Sequence, residues 1–90
     1  MRFEWEPSEA AVNERKHGVT FGEASTVFGD ELSVTGRDLK HSTSESRFVT
    51  LGLSSQGHLL AVCHTDRGDV VRIISARMAT RKERKIYEEG

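Results

Sequence analysis

The sequence predicts an α+β domain, with two N-terminal helices and one C-terminal helix packed on an antiparallel sheet of three to four strands. Three observations predict it. Residues 8–28 carry two helix-length segments with terminus signals. Arg47–Leu53, Leu59–Thr65 and Val70–Ile74 are apolar, partly β-branched runs separated by short polar turns. A third helix signal opens the last stretch of the chain. Ninety residues form one domain, 1–90, with a single thin core.

Each element has a local reason. Phe3-Glu4-Trp5 alternates apolar and polar and reads as a short strand. Pro7 suits the first turn of a helix, where its missing N–H costs nothing. Ser8 to His17 is rich in helix formers, and Gly18 fits the left-handed position that ends the helix. Thr20-Phe21-Gly22-Glu23 is a capping-box pattern, and Val19 can staple against Ala24. Phe21, Ala24, Val27 and Phe28 then share one helix face, and Gly29-Asp30 closes it. Leu32 and Val34 fit a short edge strand, with Gly36-Arg37-Asp38 as turn and His41–Ser44 as loop. Ser54–Gly57 and Asp66–Asp69 are turns so short that the three runs they connect must form an antiparallel meander. Thr80-Arg81-Lys82-Glu83 is a second capping box, and Arg81–Glu89 continues it as a helix with Ile86 and Tyr87 as its main non-polar contacts.

Hydrophobic residues make up 36% and charged residues 30% of the chain, the composition of a soluble globular domain. The single cysteine, Cys63, excludes an intrachain disulfide and fits a reducing, cytoplasmic setting. The N-terminus lacks the apolar core of a signal peptide, and no run approaches the length of a bilayer span. The net charge of −1 hides an asymmetry. Arg67, Arg72, Arg77, Arg81, Lys82, Arg84 and Lys85 crowd the C-terminal part against Asp69 and Glu83. Glu4, Glu6, Glu9, Glu14, Glu23, Asp30 and Glu31 occupy the first third. A basic end of this kind suits an anionic partner, although a solvated charged face would read the same way.

No phosphate loop, dinucleotide fingerprint, nucleophile elbow or zinc-spaced Cys/His pair is present, and no cofactor is expected. Clustered carboxylates that could hold a catalytic metal are also lacking. The remaining candidates suit metal-free acid–base work on an RNA phosphodiester. Such cleavage needs a base for the 2′-OH, cations for the pentacoordinate phosphate and an acid for the leaving 5′-oxygen. His17 can serve as base or acid, because an imidazole titrates near neutrality. Glu45 is a second candidate base. Lys16, Arg47, Arg67, Arg72 and Arg77 can hold phosphate. Arg72 interrupts an apolar run, so it needs an acid partner or a groove beside it. At strand period Arg77 falls on the face opposite Arg72, if the strand stays regular. Arg81 and Tyr87 are candidate substrate contacts on the last helix, by charge and by stacking. Cys63 and His64 read as packing residues.

F-E-W-E-P, N-E-R-K-H-G-V-T-F-G-E-A, V-F-G-D, H-S-x-S-E-S-R, R-I-I-S-A-R-M-A-T-R-K-E-R and a closing Y-E-E follow one another in the order of a known family. Together they resemble the BrnT toxins. Glu6 departs from the pattern, which usually carries aspartate after the tryptophan. The resemblance implies a RelE-type fold and a ribonuclease that arrests translation as the toxin half of a type II toxin–antitoxin pair. It implies a BrnA-like antitoxin with a ribbon-helix-helix domain, in a 2:2 heterotetramer that represses its own operon. The toxin would reach operator DNA only through the antitoxin and would not touch a membrane. Carried onto this chain, it marks Lys16, His17, Glu45, Arg47, Arg72 and Arg77 as the functional set, with Arg67 a weaker member. The competing reading is a degenerate, non-catalytic toxin kept as a corepressor.

Overall fold

The computed structural model describes residues 1–38 and 46–90; the expected loop at His41–Ser44 and the candidate base Glu45 lie outside them. The element order is β1 (Arg2–Glu4), α1 (Pro7–His17), α2 (Phe21–Thr26), a 3-10 turn (Val27–Gly29), β2 (Val34–Arg37), β3 (Phe48–Leu53), β4 (Leu59–Arg67), β5 (Val70–Met78) and α3 (Arg81–Glu89). One sheet runs β1-β5-β4-β3-β2. Strands β2 to β5 pair antiparallel, as the short turns demand, whereas β1 pairs parallel with β5. The expected three- to four-stranded antiparallel sheet is therefore corrected to a five-stranded mixed one.

The fifth strand comes from long-range packing. In its register Phe3 stands beside Val71 and Glu4 beside Arg72. Phe3 meets Phe28 at a ring distance of 5.4 Å, and Trp5 meets the edge of Phe21 at 6.0 Å. These aromatic contacts hold a three-residue strand that is too short to hold itself. The predicted turn at Gly36-Arg37 is likewise corrected to strand β2. Pairing with β3 outweighs the glycine, and the Thr35 and Thr50 hydroxyls hydrogen-bond across the pair at 2.7 Å.

The helix signals operate as read, with one exception. Pro7 occupies the first turn of α1, and Gly18 ends it at φ +71°. Thr80 and Glu83 form the complete capping box of α3. At α2, Thr20 Oγ1 accepts from the Glu23 amide at 3.0 Å. Glu23's carboxylate is used elsewhere: it accepts from Ser54 Oγ at 2.6 Å and lies 2.7 Å from His58 Nδ1. It thus ties α2 to the β3–β4 turn. Burial opposes its ionisation, but the bonds from Ser54 and His58 outweigh that and hold its pKa below the usual range.

Helices α1 and α2 cover one face of the sheet. Val19, Phe21, Ala24 and Val27 pack on Leu60, Val62, Val71, Ile73 and Ala76, all of them buried. Burying each larger side chain contributes about 1.5–3 kcal/mol. At the end of this face His64 is buried, as its packing reading requires, between the rings of Phe28 and Phe48. Its Nδ1 lies 2.7 Å from Asp66 Oδ1, and its Nε2 lies 2.8 Å from Thr50 Oγ1. A carboxylate only accepts, so Nδ1 carries the hydrogen. The arrangement has the order of a catalytic triad, but Thr50 is 1% exposed and reaches no substrate.

Helix α3 lies on the opposite face. Its Ile86 shares a groove with Val49 and Leu51 of β3, and none of its residues is buried. The Tyr87 hydroxyl donates to Asp30 Oδ2 at 2.6 Å, and the same carboxylate accepts from the Leu53 amide at 2.9 Å.

Candidate active site

The site is built where β5 loses its strand neighbour. Strand β1 pairs only as far as Arg72, so beyond it α1 lies beside β5 in place of a strand. Asn13 fastens the two. Its Nδ2 donates to the carbonyls of Ala76 (2.8 Å) and Val19 (3.0 Å), and its Oδ1 accepts from the Ala76 amide (3.0 Å). One buried side-chain amide thereby takes the place of a strand neighbour for the backbone of Ala76.

Beside this fastening β5 bulges. Ser75 pairs with Cys63 and Ile73 with His64, which leaves Ile74 without a partner on β4. The extra residue shifts the alternation by one. Arg72 stands opposite Thr65 and Arg77 opposite Ala61, positions four apart on β4 and therefore on one face. The expectation that Arg72 and Arg77 occupy opposite faces is corrected: the bulge brings both to the face away from α1 and α2.

Two clefts meet at the bulge. A groove of about 340 Å³ lies between α1 and β5 and is lined by Val12, Lys16 and His17 on one side and by Ile74 and Ser75 on the other. A second cleft of about 230 Å³ opens on the sheet and is lined by Asp38, Arg47, Cys63 and Arg77 together with the same Ile74 and Ser75. The two shared residues join a Lys–His pair to an Arg–Arg pair.

Arg77 is held firmly. Its Nη1 and Nη2 donate to Glu83 Oε1 and Oε2 at 2.7 and 3.0 Å, and Glu83 Oε1 also accepts from the Thr80 amide at 2.9 Å. The bond from Arg77 holds the Glu83 carboxyl below the usual range, and the same bond raises the guanidinium pKa. Arg77 is thus a permanently charged, bidentately oriented cation at the cleft wall. Cys63 faces the same cleft half-buried. Burial first, and then Asp38, push its thiol up, against the smaller pull of Arg47 and Arg77. Its thiol stays protonated near neutrality and is a poor nucleophile.

The other predicted residues are placed differently. Arg72 lines neither cleft; its Nη1 meets Glu4 Oε1 at 3.4 Å, so the acid partner its position required is Glu4 of β1. Arg67 ends β4 and Arg81 begins α3, both exposed. Tyr87 uses its hydroxyl on Asp30, which raises its pKa. Glu45 lies outside the described residues. Asn13, Asp38, Ser75 and Glu83 were not among the predicted site residues. The sequence signals that touched them were the capping box that contains Glu83 and the motifs that contain Asn13 and Ser75. Among the described residues, no three His, Cys, Asp or Glu side chains gather as a metal site, and no helix is long and apolar enough to cross a membrane.

Comparison with known proteins bears on this geometry. No curated protein matches the chain. Among solved structures it is similar to the Brucella abortus ribonuclease toxin BrnT, with a TM-score of 0.67 and 19% identity over 90% of this chain and 99% of that one. That likeness concerns the fold. The family model for the ribonuclease toxin BrnT of type II toxin–antitoxin systems matches residues 5–83. That span includes α1, the bulge, both clefts and Glu83, and the chain belongs to the BrnT family of ribonuclease toxins.

Proposed function

We propose that this protein is a metal-independent endoribonuclease that cuts RNA at a phosphate held over the β5 bulge and thereby inhibits translation. The observation that carries the reading is the meeting of the two clefts at Ile74 and Ser75, with Lys16 and His17 on one side and Arg47 and Arg77 on the other. In this mechanism the 2′-oxygen attacks phosphorus as His17 or Glu45 takes its proton. The bond to the 5′-oxygen breaks as that oxygen takes a proton from the conjugate acid of that base or from water. A 2′,3′-cyclic phosphate and a 5′-hydroxyl result. Arg77, Arg47 and Lys16 stabilise the charge gathering on the equatorial oxygens, where fixed donors do most for the transition state. Arg72, Arg67 and the exposed Arg81, Lys82, Arg84 and Lys85 serve flanking phosphates.

Membership of a type II toxin–antitoxin family implies an antitoxin. We assign this role to a BrnA-like ribbon-helix-helix protein that neutralises the toxin in a 2:2 complex and alone contacts operator DNA. Induction of the chain without antitoxin tests the reading. Growth arrest with RNA cut to 5′-hydroxyl ends is the expected result. Unimpeded growth with intact RNA leaves only a non-catalytic corepressor. Light scattering of the co-expressed pair tests the stoichiometry.

A further inference from the structure

The groove between α1 and β5 has a polarity that the cleavage chemistry alone does not use. Lys16 and His17 stand at one end of α1. Glu9, in its first turn, stands at the other. Glu9 and Lys16 are two helical turns apart, about 10 Å along the axis. Between them Val12, 51% exposed, and Ile74 supply an apolar stretch of the two walls, with Asn13 and Ser75 as polar neighbours. A nucleotide has the matching order, with an anionic phosphate, a flat apolar-faced base and a hydrogen-bonding edge at the far end. The volume of about 340 Å³ is near the lower end of the range for small-molecule sites.

We infer that this groove is a base subsite that seats guanine next to the phosphate at the bulge, with Glu9 as the residue that selects it. The inference rests on the ribonuclease reading for the identity of the polymer. A carboxylate only accepts hydrogen bonds. Guanine alone presents two adjacent N–H donors on its Watson–Crick edge, and these fit a carboxylate as a bidentate pair. Adenine and cytosine set one amino group beside a ring acceptor, and uracil flanks its single N–H with two carbonyls, so each points a lone pair at Glu9. The base plane lies between Val12 and Ile74, and the phosphate lies toward Lys16 and His17. Glu9 also complements the helix N-terminus, and its place on the groove wall beside Val12 makes the same carboxylate available to a base edge.

The test is a titration of the ¹⁵N-labelled full chain with the 5′-monophosphates of guanosine, inosine, adenosine and uridine, followed by amide shifts. Guanosine monophosphate should bind about ten-fold or more tightly than the adenosine and uridine compounds, the discrimination expected of one bidentate pair. Inosine, which lacks the 2-amino group, should fall between them. Shifts should centre on Val12, Lys16, Ile74 and Ser75. Glu9→Gln should bring the four affinities together while phosphate still binds. Equal affinities for the wild type, shifts centred on α3, or an undiminished guanosine preference in Glu9→Gln would each overturn the inference. A chain that cuts RNA yet binds all four alike loses the subsite and keeps the ribonuclease. A chain that prefers guanosine yet cuts nothing keeps the subsite and loses the ribonuclease.

Discussion

The two faces of the sheet are built on different principles. On one, α1 and α2 bury a continuous apolar cluster from Val19 to Ala76. On the other, no residue of α3 is itself buried, and the helix is held by a half-exposed apolar contact of Ile86 near Val49 and Leu51 and by two polar ties, Arg77–Glu83 and Tyr87–Asp30. Apolar burial supplies most folding free energy and polar ties supply little. The first face therefore sets stability. The second leaves charged groups oriented and in reach of solvent, as binding an anion requires. The β5 bulge lies where the two regimes meet.

Substitutions on the two faces should separate accordingly. Phe21→Ala, at a residue 2% exposed, should cost about 3–5 kcal/mol in denaturant unfolding. Ile86→Ala on α3, at 44% exposed, should cost less than about 1 kcal/mol. Comparable losses would mean that α3 is part of the core. Asn13→Ala removes three buried hydrogen bonds and bares the edge at Ala76, at a cost of about 2–4 kcal/mol. Loosening of α1 from β5 should appear in hydrogen exchange.

Glu83→Ala should cost about 1–2 kcal/mol, because it loses a partly exposed, screened ion pair and its half of the α3 capping box. It should nevertheless lower RNA cleavage about ten-fold by releasing the Arg77 fork. Thr80→Ala, which keeps the ion pair and loses the cap, should leave cleavage nearly unchanged. The smallest effect concerns pH. Glu83, Asp30 and Glu23 all have lowered carboxyl pKa values. Their contribution is complete above the unfolded value of about 4 and is lost as pH falls through the lowered folded values. As pH falls below about 4, α3 should release first. A loss of α3 on raising pH would contradict the assignment.

The helices and the meander were legible because their signals are local. Pro7, Gly18 and the Thr80–Glu83 box act within a few residues, and the short turns at Ser54–Gly57 and Asp66–Asp69 leave no alternative to antiparallel neighbours. The short strand at the N-terminus was legible, but its parallel pairing with β5 and the bulge were not. The direction of β1 depends on Phe3 finding Phe28 and on Glu4 finding Arg72, contacts that span much of the chain. The bulge adds one residue without any glycine to mark it, so strict alternation put Arg77 on the wrong face. For the site, residue type singled out cations whose chemistry suits phosphate. It could not show that Arg77 rather than Arg72 lines a cleft that shares Ile74 and Ser75 with the one lined by His17, nor that Asn13 would fasten α1 to β5 beside it.

The central claim is that His17 and Arg77, on different elements and in different clefts, act on one phosphate. A double-mutant cycle on RNA cleavage measures this directly, with circular dichroism to check each fold. His17→Ala and Arg77→Ala should each lower the rate about a hundred-fold or more, and the double variant should lose little beyond the worse single one, as groups acting as a unit do. Fully multiplicative losses, or folded single variants that cleave like the wild type, would contradict the account.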